Sequence, residues 1–134
     1  MPADHAVTSR FTVRSYEVDS YAHLNNGVYL SWFEQGRLDW LRSKGFSYDG
    51  FAERKQWFVV ARTEVDFRRA LLTGDEVLMT TRLEGLGRTS VRYRQVITAV
   101  GDDAPACEAF TIMAFTDNTR AVPIPDDFRA AAEG

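Results

Sequence analysis

Between Val28 and Lys44 apolar residues recur every three to four positions. Tyr29, Trp32, Phe33, Gly36 and Trp40 share one face, and Leu30, Leu38 and Leu41 widen it. A 3.6-residue period of that width predicts one helix with most of its surface buried. Asn25 and Asn26 stand at its start, where an asparagine oxygen can accept from the free N–H groups of the first turn. Gly45 follows where a left-handed C′ residue ends a helix. Gly36 lies inside the apolar face, at a cost of about 1 kcal/mol relative to alanine. It is either merely tolerated there or marks close approach to a sheet.

On both sides of this helix the period drops to two. Phe11 and Val13 alternate with Thr12 and Arg14, predicting a first strand within Thr8 to Val18. Beyond Gln56, Trp57, Val59, Ala61, Thr63, Val65 and Phe67 alternate with Arg62, Glu64, Asp66 and Arg68. A turn at Leu72 to Asp75 leads into Val77, Met79, Thr81 and Leu83, and a second at Glu84 to Gly87 into Val91, Tyr93, Gln95 and Ile97. A third at Gly101 to Pro105 leads into a run ending near Phe115. Four long strands joined by short Gly-containing turns predict an antiparallel meander. Adding the first strand gives five strands and one long helix, and wrapping the curved sheet around the helix buries both apolar surfaces. The class is α+β. A sheet of this size leaves an edge strand and an outer face, so self-association is expected.

Composition narrows the class of function. The chain has 134 residues, which suits one domain spanning 1–134, with 45% hydrophobic and 26% charged residues. Lys and Arg number 16 against 19 Asp and Glu, a net charge of −3. That acidic balance, without a basic run, argues against a nucleic-acid partner. Cys107 is the one cysteine, so no intrachain disulfide calls for an oxidising compartment. Met1 to Arg10 carries Asp4 and His5 and has no apolar h-region, and the longest apolar run, Trp57 to Ala61, is far short of a membrane span. A cytoplasmic protein with no membrane partner is expected.

Most catalytic constellations are missing. The two histidines are His5, in a segment expected to fray, and His23. With a single cysteine besides, no cluster has zinc-ligand spacing, so no metal is expected. There is no nucleophile elbow and no phosphate-cradling glycine loop. Cys107 falls in a predicted strand and reads as a buried, inert thiol. What is left is Asp19, just before the cap of the long helix, together with the backbone N–H groups of Asn26 and Gly27 at the positive end of its dipole. Such donors polarise a carbonyl while a nearby carboxylate attacks it or activates water. Taken alone, Asp19 reads more readily as a turn residue or an early cap.

The run Tyr16-Glu17-Val18-Asp19-Ser20-Tyr21-Ala22-His23-Leu24-Asn25-Asn26-Gly27-Val28-Tyr29-Leu30, with Phe33-Glu34 and Arg37, resembles the signature of the hotdog-fold acyl-CoA thioesterases of the 4-hydroxybenzoyl-CoA thioesterase-like group. Its Asp-x-Tyr-x-His-x-Asn-Asn form is most similar to the long-chain acyl-CoA branch. Arg68 to Asp75 resembles the family's strand and Gly-Asp turn, with Ala70 where proline is frequent, and Gly87 to Ser90 its next strand start. The resemblance implies a hotdog fold: a five-stranded antiparallel sheet wrapped around one long central helix, assembled as homodimer or homotetramer. It implies hydrolysis of an acyl-CoA without a cofactor, coenzyme A being part of the substrate. Asp19 would be nucleophile or general base, and the Asn26 N–H would polarise the thioester carbonyl. A second branch uses a glutamate within the helix, at about the position of Glu34. His23 would touch substrate or Asp19, or pack the loop, whereas Asn25 is expected to cap or brace it. Arg88 and Thr89 would hold the nucleotide end of coenzyme A at a subunit boundary. Three alternatives stay open: an acyl-CoA-binding module without turnover, a thioesterase acting on an acyl carrier protein, and a hydratase or dehydratase on the same fold, whose His-centred motif this sequence lacks.

Overall fold

The computed structural model describes residues 6–133, so His5 lies outside the described residues. The long helix, α1, spans Asn26–Ser43. Asn25 caps it, its Oδ1 accepting from the Gly27 N–H at 2.9 Å. Beyond the C-cap Lys44, Gly45 adopts φ +87°, which only glycine takes without strain. The buried face comprises Tyr29, Trp32, Phe33, Gly36, Arg37, Trp40 and Leu41. Leu30, expected to widen that face, is 54% exposed.

The sheet contains β1 (Val7–Thr12), β2 (Trp57–Phe67), β3 (Glu76–Leu86), β4 (Ser90–Ala99) and β5 (Cys107–Thr116). Its order is β1-β3-β4-β5-β2, with every pairing antiparallel. The meander predicted from β2 onward therefore holds only for β3, β4 and β5, because β2 pairs with β5 at the far edge. The link between β2 and β3 is no hairpin turn. Arg68 and Arg69 donate backbone bonds to Ala106 O at one side of the sheet, while Gly74 donates to Val13 O at the other. Leu71, fully buried, anchors the crossing. The first strand also ends earlier than predicted, at Thr12, and a single 3₁₀ turn (Ser15–Glu17) follows it. The turn expected at Glu84 to Gly87 falls slightly later, since β3 continues through a bulge between Leu83 and Gly85. Two short helices have no counterpart in the periodicity. They are α2 (Tyr48–Glu53), capped by Ser47 Oγ accepting from Gly50 N, and α3 (Asp126–Glu133).

Two apolar clusters divide the length of α1. Leu24, Tyr29, Trp32, Phe33, Leu71 and Cys107 gather at its start. Trp40, Leu41, Phe51, Tyr93, Phe115 and Phe128 gather at its end, with rings meeting mostly edge to face. Between them the helix touches the sheet at Gly36, where a Cβ would lie inside 3.0 Å of Met79, Thr81 and Gln95 side chains. Gln95, 0% exposed, donates through Nε2 to Phe33 O and to Thr81 Oγ1, both at 2.9 Å. Its Oε1 accepts from Arg37 Nη1 at 3.2 Å. The close approach is thus built around a satisfied buried amide. At the opposite extreme, β2 is an unpaired edge along one side, with Val59, Val60 and Phe67 exposed.

Candidate active site

The segment leading into α1 is a tight loop closed by its own backbone. Asp19 N donates to His23 O at 2.8 Å and Ala22 N to Asp19 O at 3.0 Å, while Val18 and Leu24 form an antiparallel bridge. Ala22 at φ +63° takes the left-handed corner. Leu24 is buried and donates to Leu71 O at 2.8 Å, so the crossing segment and the loop fix each other. The Asp19 side chain is held from within the loop, Oδ1 accepting from Tyr21 N at 2.9 Å and His23 N at 3.2 Å. Its Oδ2 meets no donor among the described residues.

The helix start is equally specific. Asn25 N donates to Glu17 O, Gly27 N to Asn25 Oδ1 and Val28 N to Asn25 O. Asn26 N has no acceptor among the described residues. Gly27, expected to offer its N–H to substrate, has that group engaged by the cap. Asn26 therefore carries the free donor at the positive end of α1.

Asp19, His23, Leu24, Asn26 and Tyr29 line one cleft of about 280 Å³, closed on its other side by Phe67, Arg68, Arg69 and Ala70. Phe67, 53% exposed, stands edge-on to Tyr29 with ring centroids 5.0 Å apart. Burial pushes the Tyr29 phenol up to about 12, so it stays neutral. Arg68 is paired with Glu108 at 2.6 Å and Arg69 with Asp102 at 2.6 Å, which steadies the far wall. The Phe67 to Ala70 wall escaped the sequence reading. The Arg-Arg pair before the Gly-Asp turn is visible in the chain, but only the β2–β5 pairing brings it opposite Asp19.

Other predicted site residues lie elsewhere. Asn25 is the cap and brace, as expected. Glu34 is eight residues beyond Asn26, about 12 Å along the helix, and lines a separate cleft with Arg37 and Tyr48. Arg88 and Thr89 form the β3–β4 turn, where Arg88 O accepts from Ile124 N and Thr89 O from Phe115 N. That turn belongs to the Trp40 and Phe128 end of α1, so one chain does not bring it to Asp19. Among the described residues no three His, Cys, Asp or Glu side chains converge as a metal site, and no helix is long and apolar enough to cross a membrane. Cys107 is fully buried and its thiol is pushed up to about 12, chiefly by burial. It is no nucleophile.

A free carboxylate oxygen and a free N–H at a helix start, facing one small cleft, can bind a carbonyl oxygen and deliver a nucleophile to its carbon. Comparison with known proteins points the same way. The long-chain acyl-CoA thioesterase FadM of Escherichia coli is 32% identical over 90 residues, 67% of each chain. The chloroplastic acyl-acyl carrier protein thioesterase ATL3 of Arabidopsis thaliana is 29% identical over 119 residues, 88% of this chain. This chain spans 63% of the length of that Arabidopsis relative. Among solved structures, a thioesterase from Thermus thermophilus complexed with coenzyme A and Zn superposes with TM-score 0.82 and 34% identity, covering 98% of this chain and 94% of that one. The family described as the thioesterase-like superfamily matches residues 13–132, which takes in the Asp19 loop, α1 and all of the sheet except β1. The chain belongs to the thioesterase-like superfamily and has its hotdog fold.

Proposed function

We propose that this chain is an acyl-CoA thioesterase, converting an acyl-CoA and water to the free acid and coenzyme A. The observation that carries the proposal is the pairing of the Asp19 carboxylate with the unspent Asn26 N–H in one cleft. The thioester oxygen takes the Asn26 N–H and the field of the α1 N-terminus, which stabilises negative charge developing on it. Asp19 Oδ2 either attacks the carbonyl carbon and expels the CoA thiolate, forming a mixed anhydride that water then hydrolyses to the free acid and the restored carboxylate, or takes a proton from the water that attacks. His23 lines the same cleft and would contact the substrate there. No strong acid is needed, because a thiolate is a good leaving group. Glu34, about 12 Å away, is outside this chemistry.

The exposed β2 edge, eleven residues long and carrying Val59, Val60 and Phe67, supports a homodimer in which two copies cover that edge. Arg88 and Thr89 reach coenzyme A only if a second copy presents them. A cytoplasmic setting fits a chain whose one cysteine is a free, buried thiol. The name of the Arabidopsis relative adds a carrier-protein substrate as an arm of the test.

The test is thiol release from acyl-CoAs of graded length, benzoyl- and phenylacetyl-CoA, and an acyl carrier protein thioester, with oligomer mass followed by sedimentation. Asp19→Asn should lower turnover by about 10³-fold or more while the oligomer stays intact. Wild-type rates in that variant, or an equal loss in Glu34→Gln, would defeat the assignment. Tight acyl-CoA binding with no release from any substrate would leave a binding module.

A further inference from the structure

The Asp19 cleft lies where the first turns of α1 face the C-terminal end of β2, at Asn26, Tyr29 and Phe67. A second cleft, of about 390 Å³, lies where the third turn of α1 faces the N-terminal end of β2, at Glu34, Arg37 and Trp57 to Val60. Both therefore sit on the one seam between α1 and β2, about 12 Å apart by helix rise. Leu30, exposed on α1 between them, gives the intervening surface an apolar character. An acyl group whose carbonyl sits on Asn26 and which follows this seam ends in the second cleft.

That distal cleft has apolar walls, Phe58 and Met113 among them, but a polar floor. Arg37 is only 5% exposed. Its Nη1 is spent on Gln95, while its Nε is sealed from solvent with no acceptor among the described residues. The Tyr48 hydroxyl, from α2, interacts with the same guanidinium. Burial raises the Tyr48 phenol and lowers the Arg37 guanidinium, so Tyr48 is kept protonated as a donor. Arg37 and Tyr48 both line the cleft, and a hydrogen bond made there to a ligand oxygen is stronger than one made in water because the local dielectric is low. Glu34 at the same cleft adds a negative charge and an acceptor. It disfavours a carboxylate but suits a hydroxyl, which both donates and accepts.

We propose that the distal cleft receives the far end of the acyl group and selects acyl groups bearing a neutral oxygen there, hydroxyl or oxo, with Arg37 and Tyr48 as specificity-determining residues. The proposal rests on the thioesterase reading and deepens it.

The test compares kcat/KM for matched pairs, octanoyl, decanoyl and dodecanoyl-CoA against their ω-hydroxy forms, with ω-carboxy forms as a third arm. Wild type should favour the ω-hydroxy member by about tenfold or more at the length that fits. The ω-carboxy form should gain no such advantage. Tyr48→Phe removes only the hydroxyl, and Arg37→Lys keeps the charge while losing the fork. Each should bring the hydroxy-to-alkyl ratio below about threefold, less than the share of one hydrogen bond. Equal or better use of the plain chain by wild type, or a Tyr48→Phe ratio equal to wild type, overturns the proposal. Calorimetric affinities of Asp19→Asn for the same pairs separate the two claims. Turnover of all chains with no hydroxyl preference sinks this inference and leaves the activity. A hydroxyl preference in binding without turnover sinks the activity and leaves the inference.

Discussion

Replacing Gly36 by alanine puts two physical effects in direct opposition. Helix propensity alone makes Gly36→Ala stabilising by about 1 kcal/mol. The structure opposes this, because the new methyl would fall inside 3.0 Å of Met79, Thr81 and Gln95 side chains. Met79 ends in a flexible thioether that can swing aside. Thr81 and Gln95 are fully buried, and Gln95 is tied to Phe33 O, Thr81 and Arg37. Overpacking of this kind costs about 1–3 kcal/mol, and a strained or broken bond to a buried amide about 1–3 kcal/mol more. With mid-range values the contact loses about 3–4 kcal/mol against a propensity gain of about 1, a net loss of roughly 2–3 kcal/mol. At roughly 3–5 °C per kcal/mol for a chain of this length, Tm should drop by about 6–15 °C. Urea unfolding reads the change directly, run at matched protein concentration because self-association would make stability concentration-dependent. Unchanged or increased stability in Gly36→Ala would refute the close approach and the buried amide network built on it.

Asn25→Ala removes the acceptor of the Gly27 N–H and should cost about 1 kcal/mol. It should also lower kcat several-fold at temperatures where the protein is fully folded, because the cap holds the Asn26 N–H in place. A lower Tm with kcat intact would count against that positioning. The Cys107 thiol supplies a pH signature, its value being raised from 9.0 to about 12 in the fold. From about pH 9 upward the unfolded chain loses a proton that the native chain keeps. Stability should therefore fall with rising pH, by up to about 1.4 kcal/mol per unit, and be fully present below that range. Urea titrations from pH 8 to 10 should show Cys107→Ala with the shallower slope. Parallel curves for the two proteins would contradict the buried thiol.

Local signals along the chain reach the site only part of the way. The Asn25 cap, the Gly45 stop and the apolar stripe of α1 all act within a few residues, and each stands where the sequence placed it, Leu30 excepted. The strands β3, β4 and β5 follow for the same reason, since a turn of a few residues dictates an antiparallel neighbour. The position of β2 was not legible, because alternation says which face of a strand is buried and nothing about which strand lies beside it. The short helices α2 and α3 were missed because one or two turns are too few to establish a period.

For the site, the order of residues from Asp19 to Asn26 already contained a carboxylate and a helix start close together. That nearness is covalent, and little in the rest of the chain could undo it. What tertiary structure alone decided is the setting. Pairing β2 with β5 carried Phe67 to Ala70 across to face Asp19, while the β3–β4 hairpin set Arg88 and Thr89 at the other end of α1. The cap took the Gly27 N–H and left that of Asn26. Folding α2 over the third turn of α1 set Tyr48 beside Arg37 and Glu34. Each of these juxtapositions joins residues far apart in sequence or turns on a choice among neighbouring hydrogen-bond donors. Side-chain period and residue type set local backbone preference, but such choices are settled by burying apolar surface and pairing polar groups over the whole chain at once.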